Sequence, residues 1–575
     1  MPERIVVIGA VAAGPKAACR ARRLLPDAEI ILLDQDDIIS YGGCGIPYFV
    51  SGDVADEKEL CSTSYHMVRN PDYFESAKGL MVMTRTRAES INRKKKVVVV
   101  TDLESGKQQE FSYDKLVIAT GSRPNRLPVP GSDLQGIFTI SNLHKAVAIK
   151  EKIARGQVGK AVVVGGGAIG IEMAEALTDL WGVETTLIEY MPQLLPGIVD
   201  WEIAGMVQQH LMENNVDVLT GEAAMEFVGD EKGHVRKVVT GNRELDADLV
   251  IMAVGVRPRS ELARDAGLEI GPLGGIVVNR RMQTSDPDIF AAGDCVESLN
   301  LVTGKQAYAP FGSIANRQGR VAADNLAGIP SQFTGVVGSF IMKVFDRCVG
   351  ATGISLDTAR REGFDAVAAT TVQTDRAHFM AGMALIFNHM VVDRSNRRVL
   401  GLQGFANMGD GLMARIDAAA GMIARHASVS EFSNLEMAYA PPFSTAVDVL
   451  NSVANIADNI CSGRMITCSP REFVEWMDGK VEHPDWMVLD LRHPNEAVPW
   501  AKAYPDRWYA LVYNEVRHKW QEIPRDRTLI LICNAGTRAY EMQLFLKSKG
   551  IDRTLVLAGG LNLIRRLGVD WWIDA

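Results

Sequence analysis

Two of the eight cysteines stand where a backbone could hold a thiolate. Cys44 lies in the run Ser40-Tyr41-Gly42-Gly43-Cys44-Gly45-Ile46-Pro47-Tyr48, shortly after the acidic residue Asp34, and no second cysteine follows within four residues. A two-cysteine disulfide relay is excluded at this turn, so one sulfur must carry the redox chemistry. Cys533 follows the apolar run Leu529-Ile530-Leu531-Ile532 and opens Cys533-Asn534-Ala535-Gly536-Thr537-Arg538, read as a six-residue loop before a helix that starts near Ala539. Such a loop aims backbone N–H groups inward and Arg538 adds positive charge, which suits a thiolate or persulfide anion. The cysteines are dispersed with no CxxC pair, which argues for free thiols and against a disulfide scaffold or a metal site.

The first cysteine needs a redox cofactor beside it, and two βαβ patterns supply the means. Residues 5–8 read as a strand, Gly9 to Gly14 as a glycine turn, about 16–25 as a helix, and 29–33 as a strand ending in Asp34. Val11 stands where the middle glycine of such turns usually falls. The second pattern has every glycine: strand 161–164, Gly165-Gly166-Gly167-Ala168-Ile169-Gly170, a helix containing Glu172 and Glu175, and strand 185–188 closing with Glu189. Glycines permit the tight turn and let a pyrophosphate approach the helix N-terminus, and the terminal acid holds ribose hydroxyls. Glu189 would repel a 2′-phosphate, which favours NADH over NADPH. Two strand-turns, 116–124 and 250–258, return the chain between domains, and the run 284–294 ends in Asp294, whose carboxylate suits a ribityl hydroxyl.

At 575 residues the chain exceeds a single core, so three or more domains are expected. A net charge of −9 argues against a nucleic-acid surface, and no apolar run approaches the ~18 residues of a membrane span. The start of the chain reads as a strand and not a leader, so the expectation is cytoplasmic, without membrane or nucleic-acid partners.

These features together resemble the flavin-dependent pyridine nucleotide-disulfide oxidoreductases, over about residues 1–455, and the cysteine run is similar to that of the single-cysteine branch holding coenzyme A-disulfide reductases, NADH oxidases and NADH peroxidases. The resemblance implies an α/β chain in which a Rossmann-like FAD domain (1–150 and 256–333) is interrupted by an NAD domain (151–255). An α+β dimerisation domain (334–455) is expected next. It implies that Gly9, Gly14, Asp34, Ser40, Thr120, Gly121 and Asp294 line FAD, and that Gly165, Gly167, Gly170 and Glu189 line NADH. Gly43 and Tyr41 depart from the asparagine and phenylalanine common there. In the run Met437-Ala438-Tyr439-Ala440-Pro441-Pro442-Phe443, Tyr439 is implied to reach the partner's site in a homodimer, as proton donor or orienting hydroxyl; packing at an interface is the alternative. Phe379-Met380-Ala381-Gly382 replaces the family's Tyr-Tyr-Pro-Gly stretch. Arg20 and Arg23 on a basic helix face would meet coenzyme A phosphates, or form a solvated charge run.

Residues 456–468 read as a linker without period. From 469 to 575 a new α/β pattern begins: Ser469 caps a helix, Met487-Val488-Leu489-Asp490-Leu491-Arg492 is a strand, and Leu557-Ala558-Gly559-Gly560-Leu561 follows the Cys533 loop. This resembles a rhodanese domain, although its HxPGA segment is not recognisable between Glu496 and Asn514. The expected activity is NADH-driven, FAD-dependent reduction of a persulfide, polysulfide, coenzyme A persulfide or coenzyme A disulfide at Cys44, with Cys533 delivering sulfane sulfur. The rivals are an NADH oxidase or peroxidase cycling Cys44 through sulfenic acid, and a flavin redox sensor whose rhodanese domain only binds partners.

Overall fold

The computed structural model describes residues 2–573. Two compact units emerge, one built from residues up to 190 with 215–336, the other from 191–214 with 337 onward.

The first unit holds two five-stranded parallel sheets. One runs Ile289–Ala291, Lys115–Ile118, Arg4–Ile8, Glu29–Leu33, Met81–Met83; the other runs Val216–Thr220, Glu184–Glu189, Lys160–Val164, Leu249–Met252, Ile137–Thr139. Their central strands are apolar without alternation, as burial on both faces demands, and Ile5, Val6, Val7, Leu187 and Ile251 are fully buried. The strand Ile289–Ala291 returns to the first sheet beside Leu116-Val117-Ile118, so a segment far along the chain completes that sheet. Ile137–Thr139 pairs with Val250-Ile251-Met252, so the NAD-type sheet begins before residue 151. That boundary was invisible in the sequence because three residues are too few to display a period.

Residues 191–214 lie inside the expected 151–255 span but cluster with the second unit. Asp200, at the start of the helix Trp201–Glu213, explains this. Its carboxylate accepts from Leu356 N–H (2.8 Å) and Gln403 Nε2 (2.6 Å), and its own N–H donates to Gln403 Oε1 (2.6 Å).

The rest of the second unit contains an antiparallel sheet in the order Phe340–Val344, Arg347–Gly353, Arg398–Asn407, Leu385–Asp393, Ala366–Thr374, covered by the helices Asp410–Ile423 and Val449–Cys461. The second helix corrects the linker reading of 456–468. Val449, Leu450, Val453, Ala454 and Ala457 form one buried face, hidden in the sequence by interleaved Asn, Ser and Asp. Ile456 and Ile460 of the same helix pack on the core of the last domain, and Thr467–Cys468 is already an edge strand of its sheet. That sheet is parallel, ordered Thr467–Cys468, Thr554–Leu557, Thr528–Ile532, Trp486–Asp490, Trp508–Ala510. Among the described residues no helix is long and apolar enough to cross a membrane.

Candidate active site

Gly9 and Gly14 make the first turn possible: Gly9 has φ of +104°, and a β-carbon added to Gly14 would sit 1.8 Å from Gly9 O. Gly170 repeats this against Gly165 O at 1.8 Å, so both helices start as close to their strands as a pyrophosphate cradle requires. The missing middle glycine at Val11 does not disturb this geometry. The two acids behave alike. Asp34 accepts from Ala10 N–H (2.6 Å), and Glu189 accepts from Gly166 N–H (2.6 Å), so each carboxylate sits at the mouth of its own glycine turn. Burial pushes Asp34 above the usual carboxylate range, against the N–H groups of Asp36 and Ala10.

Ser40, buried and in the left-handed region (φ +51°), donates its N–H to Ala10 O (2.7 Å), which draws the Cys44 run onto the first turn. Asp294 accepts from Ser122 Oγ (3.1 Å), and burial raises its pKa. Tyr308, absent from the sequence reading, has a buried hydroxyl that faces Ser122 and Asp294. Thr120 donates its hydroxyl to Arg259 O (2.6 Å), and Gly121 follows in the left-handed region. Two glycine-shaped cradles with an acid at the mouth of each, and the buried Asp294 carboxylate, fit FAD and a nicotinamide dinucleotide.

Cys44 occupies a short 3₁₀ turn, Gly43–Gly45, that runs into the helix Ile46–Ser51 with Pro47 in its first turn. Its sulfur faces the N-terminus of the helix Gly312–Leu326, and a β-carbon added to Gly312 would lie 3.8 Å from Sγ. Although the residue is solvent-accessible, protein crowds the sulfur. Desolvation foremost, then the charge of Glu172, raises its thiol pKa, while the Gly312 N–H pulls the other way. Glu172 itself is pushed up to about 7 by burial and by Glu175, and Tyr48 up to about 12 by burial and the same two acids. The sequence placed Glu172 on the helix but gave no sign that it faces Cys44.

Of the two basic residues expected at coenzyme A, Arg20 is paired with Asp324 (2.6 Å) and Arg23 donates to Cys19 O (3.0 Å). Tyr439 lies half-exposed on a loop that meets the Phe379 segment through Ala377 N–H to Pro441 O (3.1 Å). The loop is pinned behind Tyr439 by Ser444, whose hydroxyl donates to Asp448 (2.8 Å), the buried ion-pair partner of Arg415. Phe379 and Phe443 are strongly exposed on the same pair of segments. Asp36, Asp37 and His144 form a close group, in which His144 Nε2 lies 2.9 and 2.7 Å from the two acids and Arg85 pairs with Asp37.

Cys533 lies 2% exposed in an apolar cluster, at the end of Thr528–Ile532. Gly536 donates its N–H to Cys533 Sγ (3.1 Å) and initiates the helix Thr537–Ser548 from the left-handed region. The loop is therefore shorter than expected, and Thr537 and Arg538 form the first helical turn. Arg538 has no ion pair among the described residues, and its charge is felt at Tyr513. Behind this loop Asp490 and Arg492 make a buried pair (2.8 Å), with Trp508 Nε1 donating to Asp490 (3.0 Å). Where an HxPGA segment would fall, the helix Pro494–Ala503 instead brings the fully buried Trp500 into a stack on Trp508, centroids 4.8 Å apart.

Residues 3–309 match the family Pyridine nucleotide-disulphide oxidoreductase, 340–450 its dimerisation domain, and 471–566 the Rhodanese-like domain. An NADH oxidase of Methanocaldococcus jannaschii is 34% identical over 79% of this chain and 98% of its own. An NAD(P)H coenzyme A polysulfide/persulfide reductase of Pyrococcus horikoshii is 34% identical over the same shares. A solved structure, an NAD-dependent persulfide reductase from A. fulgidus, superposes with a TM-score of 0.91 at 37% identity, covering 97% of this chain and 99% of its own.

Proposed function

The chain belongs to the pyridine nucleotide-disulphide oxidoreductases and carries a rhodanese-like domain, and on that premise we propose that it is an NADH-driven flavoprotein reductase of persulfides, with coenzyme A persulfide or disulfide as the substrate class. One observation carries this reading above the oxidase alternative. The likeness to the persulfide reductase runs through the whole chain, rhodanese-like domain included, whereas the NADH oxidase relative is matched over 454 residues that make up 98% of it.

Gly9, Gly14, Asp34, Ser40, Thr120, Gly121 and Asp294 would hold FAD, and Gly165, Gly167, Gly170 and Glu189 the NADH. Cys44, as thiolate, attacks the inner sulfur of R–S–SH; the new bond is Cys44–S–S–R, the S–SH bond breaks, and hydrosulfide leaves with its electron pair. FAD with NADH, when bound, supplies the two electrons that, with one proton, return that mixed disulfide to the Cys44 thiolate and free R–SH. Gly312 N–H stabilises the sulfur anion each time it forms, with the helix N-terminus behind it. Tyr439 would supply a hydroxyl to the partner subunit's site, and Arg20 and Arg23 would exchange their present contacts for coenzyme A phosphates. Cys533 would take sulfane sulfur from a donor and Arg538 would balance the persulfide charge. Eight free thiols support a reducing, cytoplasmic setting.

The test is anaerobic NADH consumption with coenzyme A persulfide, scoring sulfide. Turnover releasing sulfide that is lost in Cys44→Ser is the expected result; NADH oxidation only on admitting oxygen or peroxide would move the chain to the oxidase reading.

A further inference from the structure

The Cys533 loop does not stand on its own strand and helix alone. Leu561 and Asn562 donate their N–H groups to Cys533 O and Asn534 O (both 3.0 Å), so the loop's carbonyls rest on the start of the helix Gly560–Arg566. The contact is backbone to backbone. A β-carbon added to Gly560 would lie 2.5 Å from Cys533 O and 2.7 Å from Ala535 N. The neighbouring Gly559 is closed off from the other side, where an added β-carbon would meet Leu563 at 2.7 Å and Thr370 Cγ2 at 3.2 Å. Thr370 belongs to the strand Ala366–Thr374 of the dimerisation-domain sheet, within the same compact unit.

Thr370 is buried and hydrogen-bonded. It is 5% exposed, its hydroxyl is hydrogen-bonded to His389 Nδ1 (2.9 Å), and His389 Nε2 lies 3.5 Å from Asp200 Oδ2. Asp200 is in turn fixed by Gln403 and Leu356. Further along, Leu567 packs on Gly205 and Gly568 on Gln209, so the far end of the same short helix is also seated on the helix Trp201–Glu213.

We propose that Thr370 is a positioning residue for sulfur transfer: with its methyl facing the bare side of Gly559, it bounds the glycine pair that sets the Cys533 loop, and thereby the approach of Gly536 N–H to the sulfur. This rests on reading Cys533 as the sulfane-sulfur acceptor. The reaction that reports on it is complete in itself. The Cys533 thiolate attacks the outer sulfur of thiosulfate, the S–S bond breaks, and sulfite leaves with the bonding pair. Cyanide then removes the terminal sulfur as thiocyanate and returns the thiolate.

The experiment compares full-length, FAD-loaded Thr370→Ala, Thr370→Val and Thr370→Ser with the parent protein. It measures thiocyanate formation from thiosulfate and cyanide, the pH profile of Cys533 alkylation by iodoacetamide, and NADH turnover at Cys44 as control. Misplacement of a reacting group by about 1 Å can cost about 10²-fold, and a shift of about half that on the order of tenfold. Thr370→Ala should therefore lower kcat for thiocyanate by about tenfold, with the alkylation profile shifted and NADH turnover with a soluble persulfide unchanged. Val, which keeps the methyl, and Ser, which keeps the hydroxyl, should each recover part of the loss. Parent-like kcat and a parent-like alkylation profile in all three would overturn the proposal. If the parent forms no thiocyanate, the reading of Cys533 as acceptor fails, while a shifted alkylation profile in the variants would still uphold the seat.

Discussion

On the proposed function, the two cysteines must each hold a sulfur anion, and they do so in opposite surroundings. Each cysteine meets a backbone N–H at the start of a helix, Gly312 for Cys44 and Gly536 for Cys533. Around Cys44, however, the nearby charges are carboxylates, Glu172 and Asp294, which oppose the thiolate, and the residue is open to solvent. Around Cys533 the walls are apolar and the sulfur is buried. A sulfur that must alternate between thiolate and disulfide gains from surroundings that keep neither form too stable. A sulfur proposed to carry an anionic persulfide gains from a closed cradle of backbone N–H groups. Cys44 has the open environment and Cys533 the closed one, with Gly536 N–H on its sulfur.

The sharpest way to break this comparison is to remove each sulfur in turn. Cys44→Ser should cut NADH-driven persulfide reduction by about 10³-fold or more, since the nucleophile itself is lost, while the purified protein stays yellow and still forms thiocyanate from thiosulfate. Cys533→Ala should do the reverse, abolishing thiocyanate formation and sparing reduction of a soluble persulfide. Loss of both activities in either variant would mean that the sites are not separable. A smaller effect is expected at Glu189, which concerns the first site alone. Glu189→Ala removes a charged hydrogen-bond acceptor worth about 1.5–3 kcal/mol, so the preference for NADH over NADPH should fall by about 10- to 100-fold in kcat/KM.

Much of this was legible in the chain because the relevant signals are local. The glycine turns, the acids that close each βαβ unit and the strand before Cys533 announce themselves within about 30 residues. What escaped was long-range or short. The strand Ile137–Thr139 is too brief for a period, and its place beside Val250-Ile251-Met252 is a pairing across more than a hundred residues. The polar residues on Val449–Cys461 concealed its buried face, turning a helix into an apparent linker. Asp200 gave no sign that it would tie its helix to the second unit, since its partners Leu356 and Gln403 lie far along the chain. Gly312 and Glu172 likewise reach the Cys44 site, and Tyr308 the Asp294 carboxylate, only through the fold, and a βαβ helix carrying two glutamates reads as an ordinary amphipathic surface.

Glu172 also supplies the finest test of the contrast between the sulfurs. Its carboxyl is raised to about 7, first by burial and then by Glu175, so it is neutral in mildly acid solution and charged above neutrality. Once charged, it opposes the Cys44 thiolate, and this is the largest electrostatic contribution to the raised thiol. Glu172→Gln keeps the shape and removes the charge, so the midpoint of Cys44 alkylation by iodoacetamide should move to lower pH, with no movement of the Cys533 profile. The same variant has a stability consequence of definite sign. A buried acid with a raised pKa contributes stability that is intact below the ordinary carboxylate range and is lost as pH rises through its folded value near 7. Glu172→Gln should flatten the fall in denaturant midpoint between about pH 4.5 and pH 7. A Cys44 profile that stays put would mean that Glu172 does not bear on the thiol, leaving desolvation and Asp294 to raise it, and the two sulfurs would then differ chiefly in exposure.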